Sequence, residues 1–325
     1  MDGQLASPAG EFPHDPGHPV TATPAIAARP SRLPGFFIAT LVLVFVLVVW
    51  GGIVRLSGSG LAIPDWPLAR GQVIPEPGKR VMIEFIHRVL AMTVGFFTLG
   101  LAIAVYARPT YRRPLGGIMA ITLLVLAIQI VMGGRVVLEE LGVQRVVAHL
   151  LLAFLFFALL LRMTLRAQDL VRTEDVPAAA GAVRGIKALR ALSHSAAGLV
   201  FLQAGLGAWV SSSGASLACP DFPTCHGTLF PRMEGLVGIH YAHRLGAYLV
   251  FAVVLVLSIR AASAPLPARA RWPLRLAGVL VALQILLGIG NVILAVPLAV
   301  SAGHLATALA LFGTLLVANH ELARL

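Results

Sequence analysis

Charge is scarce in this sequence. Only 12% of its 325 residues are charged, and 58% are hydrophobic, giving a mean hydropathy of +0.87. A chain so poor in charge cannot clothe a water-facing surface, so an ordinary soluble globule is excluded. Strict apolar/polar alternation is missing too, which excludes a lipid-facing barrel and leaves helices to satisfy the backbone. No Lys or Arg precedes Arg29. The Pro- and Ala-rich start, with Asp2, Glu11 and Asp15, therefore lacks both the charged beginning of a signal peptide and the Arg-rich character of a transit peptide. Residues 1–35 are expected to be a disordered cytoplasmic tail.

What the chain does have is apolar runs long enough to cross a bilayer, at about 36–54, 83–106, 115–137, 145–165, 190–211, 238–260, 272–293 and 299–319. They predict an all-α integral membrane protein of eight transmembrane helices. The net charge of +11 invites a nucleic-acid reading, but its distribution argues against one. With the N-terminus in the cytoplasm, the groups Arg108, Arg112, Arg113, then Arg162 to Arg190, then Arg260 to Arg275 all fall inside, at alternate loops. Both termini are expected to be cytoplasmic and nucleic acid is not a partner.

The two halves repeat. "SGSGLAIPDWP" (57–67) matches "SGASLACPDFP" (213–223), and "IHRVLA" (86–91) matches "AHRLGA" (242–247), both at an offset of 156. "AIQIVMGG" (127–134) matches "ALQILLGI" (282–289), and His149 matches His304, at an offset of 155. The expected architecture is two tandem four-helix bundles, 36–167 and 190–320, joined by a cytoplasmic linker at 168–189. Four is even, so the units lie parallel, related by an axis along the membrane normal.

His87 and His149 fall on the second and fourth helices of the first unit, and His243 and His304 on those of the second, all near the outer ends. One intramembrane histidine usually serves interhelical hydrogen bonding. Four in matched pairs point to ligands. Zinc wants three or four protein ligands, whereas two facing imidazoles suit a haem iron, which takes one nitrogen from each side of the porphyrin. The pairs thus predict two haem sites toward the outer face. Arg88, Arg244 and Arg145 lie beside them as partners for propionates, with snorkelling to the lipid surface as the alternative.

The halves also differ. At matched positions Arg55 faces Ser211, Glu84 faces His240, Arg135 faces Gly290 and Arg145 faces Val300. An intramembrane carboxylate costs about 2.5–3.5 kcal/mol even on the lenient insertion scale, so Glu84 is a functional candidate. Three residues before His87, it shares a helix face with that ligand and is placed to act on a bound porphyrin as general base or as stabiliser of positive charge. A salt bridge to Arg88, Arg55 or another outer arginine is the competing reading. His240 is read as a propionate partner or a surface residue. His14, His18, His194 and His320 lie away from the ligand layer. Gln129 and Gln284 read as interhelical donors, Gly133 and Gly134 as packing, and Asp65 and Asp221 as loop-turn residues.

The run "GGIVRLSGSGLAIPDWPL", the "EFIHR" block, "GGRVV" followed by His149, and the second-half "AHR" and "GH" histidines resemble the haem A synthase family across roughly 36–320. That resemblance implies a bacterial inner-membrane oxidoreductase of haem A biosynthesis, with its haem sites on the periplasmic side. It would oxidise a methyl group of haem O to the formyl group of haem A, for cytochrome c oxidase, by two successive hydroxylations. It further implies Glu84 as the catalytic carboxylate, His87 and His149 around the substrate haem O with Arg55, Arg88, Arg135 and Arg145 near it, and His243 and His304 around a haem b cofactor with Arg244 and His240. Implied partners are a haem O synthase, cytochrome c oxidase assembly factors, membrane lipid and an electron acceptor. Some relatives carry a cysteine pair in each half; here only Cys219 and Cys225 are present, Ile63 and Ala69 taking the first-half positions. A structural disulfide is expected, with a redox-active pair and metal binding with His226 as alternatives. Outside enzymology, the same histidines would serve a dihaem electron carrier or a haem transporter or chaperone.

Overall fold

The computed structural model describes residues 32–68, 71–172 and 185–325. The expected N-terminal tail lies almost wholly outside the described residues, as does the core of the expected linker; Ala69 does too.

The described chain is helical, with eight helices each long and apolar enough to span a membrane: α1 (Leu33–Leu56), α2 (Lys79–Tyr106), α3 (Pro109–Leu138), α4 (Val143–Asp169), α5 (Ile186–Ser212), α6 (Gly235–Ser263), α7 (Ala268–Ile293) and α8 (Leu298–Ala323). Most overrun the apolar segments that predict them, because backbone hydrogen bonding continues into the charged interfacial turns where hydropathy has already fallen. Proline near the first turn starts α1 and α3, where its missing N–H costs nothing. α4 continues to Asp169 and α5 opens at Ile186, each reaching into the span 168–189 expected as linker.

Packing follows the repeat. Helices α1 to α4 close a ring, each touching its neighbours and α4 returning to α1; α5 to α8 close a second ring the same way. The rings meet along α1 and α4 on one side and α5 and α8 on the other. Phe154 of α4 and Phe201 of α5 both stack against Phe312 of α8, at 5.6 and 5.9 Å between centroids. Gly52 on α1 lets the second ring in: a Cβ there would fall 2.4 Å from the Leu305 side chain, next to His304. Lipid-facing positions such as Phe96, Ile103, Leu202, Val279 and Leu286 are exposed, as a bilayer protein requires.

The α3–α4 and α7–α8 connections are the same turn. Glu140 and Leu141, and their counterparts Ala295 and Val296, all adopt positive φ. The amides of Leu141 and Val296 close back on the carbonyls of Val136 and Asn291, at 2.9 and 2.7 Å. Two left-handed residues reverse the chain tightly, and this sets His149 of α4 and His304 of α8 against the preceding helix.

Candidate functional site: two histidine-paired centres

Each of the four histidines meets a glycine on an adjoining helix. A Cβ would lie 3.0 Å from the His87 ring at Gly51, 3.0 Å from His243 at Gly207, 3.2 Å from His149 at Gly133 and 3.3 Å from His304 at Gly288. These glycines obey the same offsets as the histidines, 156 for the first pair and 155 for the second. All four rings are half-buried. His87 and His149 lie on α2 and α4 of the first ring, and His243 and His304 on α6 and α8 of the second, so each pair belongs to a separate ring.

Polar groups around the pairs are incompletely satisfied. The Nδ1 atoms of His87, His149 and His304 are buried without a hydrogen-bond partner, as are the Oε1 atoms of Gln129 and Gln284. Gln129 on α3 donates to the carbonyl of His149 at 3.2 Å, and Gln284 on α7 reaches the His304 ring at 3.2 Å, so both act as donors between helices. Buried orphan nitrogens mark a place where something else completes the site. Among the described residues no three His, Cys, Asp or Glu converge as a metal-ion set. A pair of imidazoles in an apolar ring fits a haem, which brings four in-plane donors and asks the protein for two.

The loops that follow α1 and α5 lie beside the two centres and are held alike. Arg88 donates to the carbonyls of Ile63, Asp65 and Leu68, each at 2.8 Å. Arg244 donates to those of Cys219, Asp221 and Thr224 at 2.7, 2.9 and 2.8 Å. These are matched positions one by one. Both guanidiniums therefore grip main chain, which leaves less of their donor capacity for any ligand below. Asp65 and Asp221 turn their loops, accepting from the amides of Gly71 and Gly227 at 2.8 and 3.0 Å.

Asp221 lies outside the spans, and its carboxyl is held well below the usual carboxylate range, first by the Thr224 hydroxyl and then by the Gly227 and His226 amides. A depressed folded value means the stability it contributes is present above the unfolded value of about 3.9 and is lost only as pH falls through the lower folded one. Amide exchange at His226 and Gly227 should therefore stay protected from neutral pH to about pH 4. In Asp221→Asn that protection should drop at every pH; unchanged exchange would show that the carboxylate does not hold this turn.

The first centre has what the second lacks. Glu84, 3% exposed, accepts from the Ile63 amide at 2.9 Å through Oε2 and from Arg88 at 2.6 Å through Oε1. The competing salt bridge thus exists, and a main-chain donor joins it. His240, in the matched place, is buried and bonds the Ala215 carbonyl at 2.8 Å. Glu139 clasps both Arg135 at 2.6 Å and Arg145 at 2.7 Å at the C-terminal end of α3. Arg135 lies in the last turn of α3 and Glu139 just beyond it; hydrogen bonding from Arg135, then its charge and that of Arg145, hold the Glu139 carboxyl low. Arg55 reaches across the rings to the carbonyl of Ser211, its own repeat counterpart, at 3.0 Å.

Cys219 and Cys225 are joined in a disulfide and both are fully buried. Ile63, at the place of Cys219, is also fully buried. The loop that has no disulfide is the loop whose Ile63 amide Glu84 holds. His226 bonds the Ala218 carbonyl at 2.9 Å, and His194 the Arg190 carbonyl at 2.7 Å. His320 lies beside Asp169 at 2.9 Å, at the opposite end of the bundle from the paired histidines. Sequence reasoning missed Gly51, Gly207, Gly288 and Gln203, and took Gly133 for plain packing. The matched offsets of the glycines were the signal that would have found them.

Fold and site together define a multi-pass helical membrane protein with two repeat-related centres of paired histidines. The chain belongs to the cytochrome oxidase assembly protein family, whose model matches residues 35–316. It is similar to the haem A synthase of Nitrosospira multiformis, 29% identical over 87% of this chain and 91% of that protein. It is also similar to those of Rhizorhabdus wittichii, 29% identical over 93% and 98%, and Shewanella oneidensis, 30% identical over 87% and 94%.

Proposed function

We propose that the chain is a haem A synthase, an oxidoreductase of the inner membrane that converts a methyl group of haem O to the formyl group of haem A. The observation that carries this is the asymmetry between matched centres: both have two histidines, and only the first has a buried carboxylate fixed beside them. Its family and its similarity to proteins named haem A synthase support the reading.

In this reading residues 36–167 form the substrate unit, where His87 and His149 hold haem O, and residues 190–320 form the cofactor unit. His243 and His304 would hold haem b, which when bound supplies one-electron redox chemistry. Two hydroxylations, each written with water as the oxygen source and releasing two protons and two electrons to an external electron acceptor, take the methyl group to an alcohol and then to a geminal diol, which loses water to leave the formyl group. Glu84 is anchored at both oxygens, so it cannot swing away as positive charge develops or a proton leaves the substrate carbon. Arg88 and Arg244 hold the roofs over the two centres and limit water access, while Arg55, Arg135, Arg145 and His240 supply polarity at the rims. Both centres lie toward the periplasmic side and both termini are cytoplasmic. A haem O synthase is the natural donor of substrate and cytochrome c oxidase assembly the destination of product.

The test is the haem extracted from purified protein after co-expression with a haem O synthase. Haem b together with haem O or haem A is expected. Two equivalents of haem b and neither of the others would instead indicate a dihaem electron carrier.

A further inference from the structure

We propose that Gln203 and Gly246 form an amide lock on His243 that makes the C-terminal centre retain its haem, whereas His87, which has no such lock, leaves the N-terminal centre free to exchange. This rests on the haem reading above. Gln203 on α5 donates through Nε2 to the carbonyl oxygen of His243 at 2.7 Å, and the same nitrogen lies 2.9 Å from Nδ1 of the imidazole. One turn further along α5, Gly207 closes on the ring edge, where a Cβ would come within 3.0 Å of Cε1. Residues four apart share a helix face, so α5 confines the ring from two points. On α6, Gly246 makes this possible: a Cβ there would fall 2.2 Å from Oε1 of Gln203.

The first bundle keeps half of this arrangement. His87 still meets a glycine wall at Gly51, also at 3.0 Å. At an offset of 156, however, Gln203 becomes Leu47 and Gly246 becomes Leu90, and the Nδ1 of His87 is buried without a partner. Amide and clearance have been exchanged together for two leucines. Packing alone gives no reason to place an amide at membrane depth where leucine fills the sister bundle. An imidazole that holds iron through Nε2 carries its proton on Nδ1, so the Gln203 amide, 2.9 Å away, meets it with Oε1 as acceptor, and a ring so tied must break that hydrogen bond before it turns away from a ligand. Gln203 is accordingly a positioning residue: it acts on the bound group through His243.

The experiment uses the full chain loaded with haem b and follows haem transfer to excess apomyoglobin by absorbance. Two phases are expected, a fast one from the N-terminal centre and a slow one from the C-terminal. Gln203→Leu should speed the slow phase about tenfold, the scale of one interhelical hydrogen bond, leave the fast phase alone, and alter the low-spin spectrum of the slowly released haem. Gly246→Ala should do the same, because its Cβ would displace the Gln203 amide while alanine itself favours helix. The double variant should add nothing further. An unchanged slow phase and spectrum in both single variants would overturn the lock. His304→Ala separates the two levels: persistence of a slow phase in that protein would sink the haem assignment itself, whatever Gln203 does.

Discussion

Glu84→Ala is expected to lower haem A formation by about 10²- to 10⁴-fold, the range for a lost acid–base or charge-stabilising group, while haem stays bound at both centres. The geometry makes this a sharper experiment than sequence alone would allow, since Glu84 also holds the Ile63 amide and Arg88. Alanine removes both contacts and leaves Arg88 with only its carbonyl partners, so some loosening of the first loop accompanies it. Breaking a buried pair outright costs about 3–5 kcal/mol; the three carbonyls that Arg88 retains reduce that figure. Glu84→Gln separates the roles, because its carbonyl oxygen still accepts from Ile63 while its charge is gone. If the carboxylate acts on the substrate, both variants fail to make haem A in an assay that extracts and separates haems O and A. A Glu84→Gln protein that works at the wild-type rate would reduce Glu84 to an anchor of the loop.

The second large effect concerns the histidines, and it is directional. His243→Ala or His304→Ala should strip the C-terminal centre, roughly halving haem per chain as one of two iron-binding pairs is lost. Ligand loss should exceed the 10- to 100-fold cost typical of outer-shell changes at a bound metal. His87→Ala or His149→Ala should leave haem b in place and prevent accumulation of haem O or haem A on the protein. Haem extraction with reduced-minus-oxidised difference spectra reads both outcomes. Equal loss of haem b from all four variants would show that the centres are not specialised.

Much of this molecule is written along the chain. The eight spans follow from apolar run length, and the twofold organisation from the offsets 156 and 155, because hydropathy and repetition are one-dimensional properties that need no knowledge of contacts. The matched positions of the four histidines and the departure from the repeat at Glu84 were legible for the same reason: a repeat supplies its own control, and a departure from it stands out. Helix ends were less legible, since charged interfacial turns stay helical after hydropathy fades.

What each side chain grips was not legible. Arg88 and Arg244 hold carbonyls, Glu84 holds an amide and Arg55 holds the carbonyl of Ser211. Main-chain groups are the same at every residue, so the sequence has no mark of which one a side chain will meet. The four glycines beside the histidines, and Gln203 bound to only one of them, depend on how each helix is rotated about its axis. That rotation is fixed by the packing of two closed rings against each other. Composition, periodicity and repeat therefore determined the eight spans of the described residues and which positions of the two halves match; only the tertiary structure decided which atoms face them, because facing is a property of two helices and neither one encodes it alone.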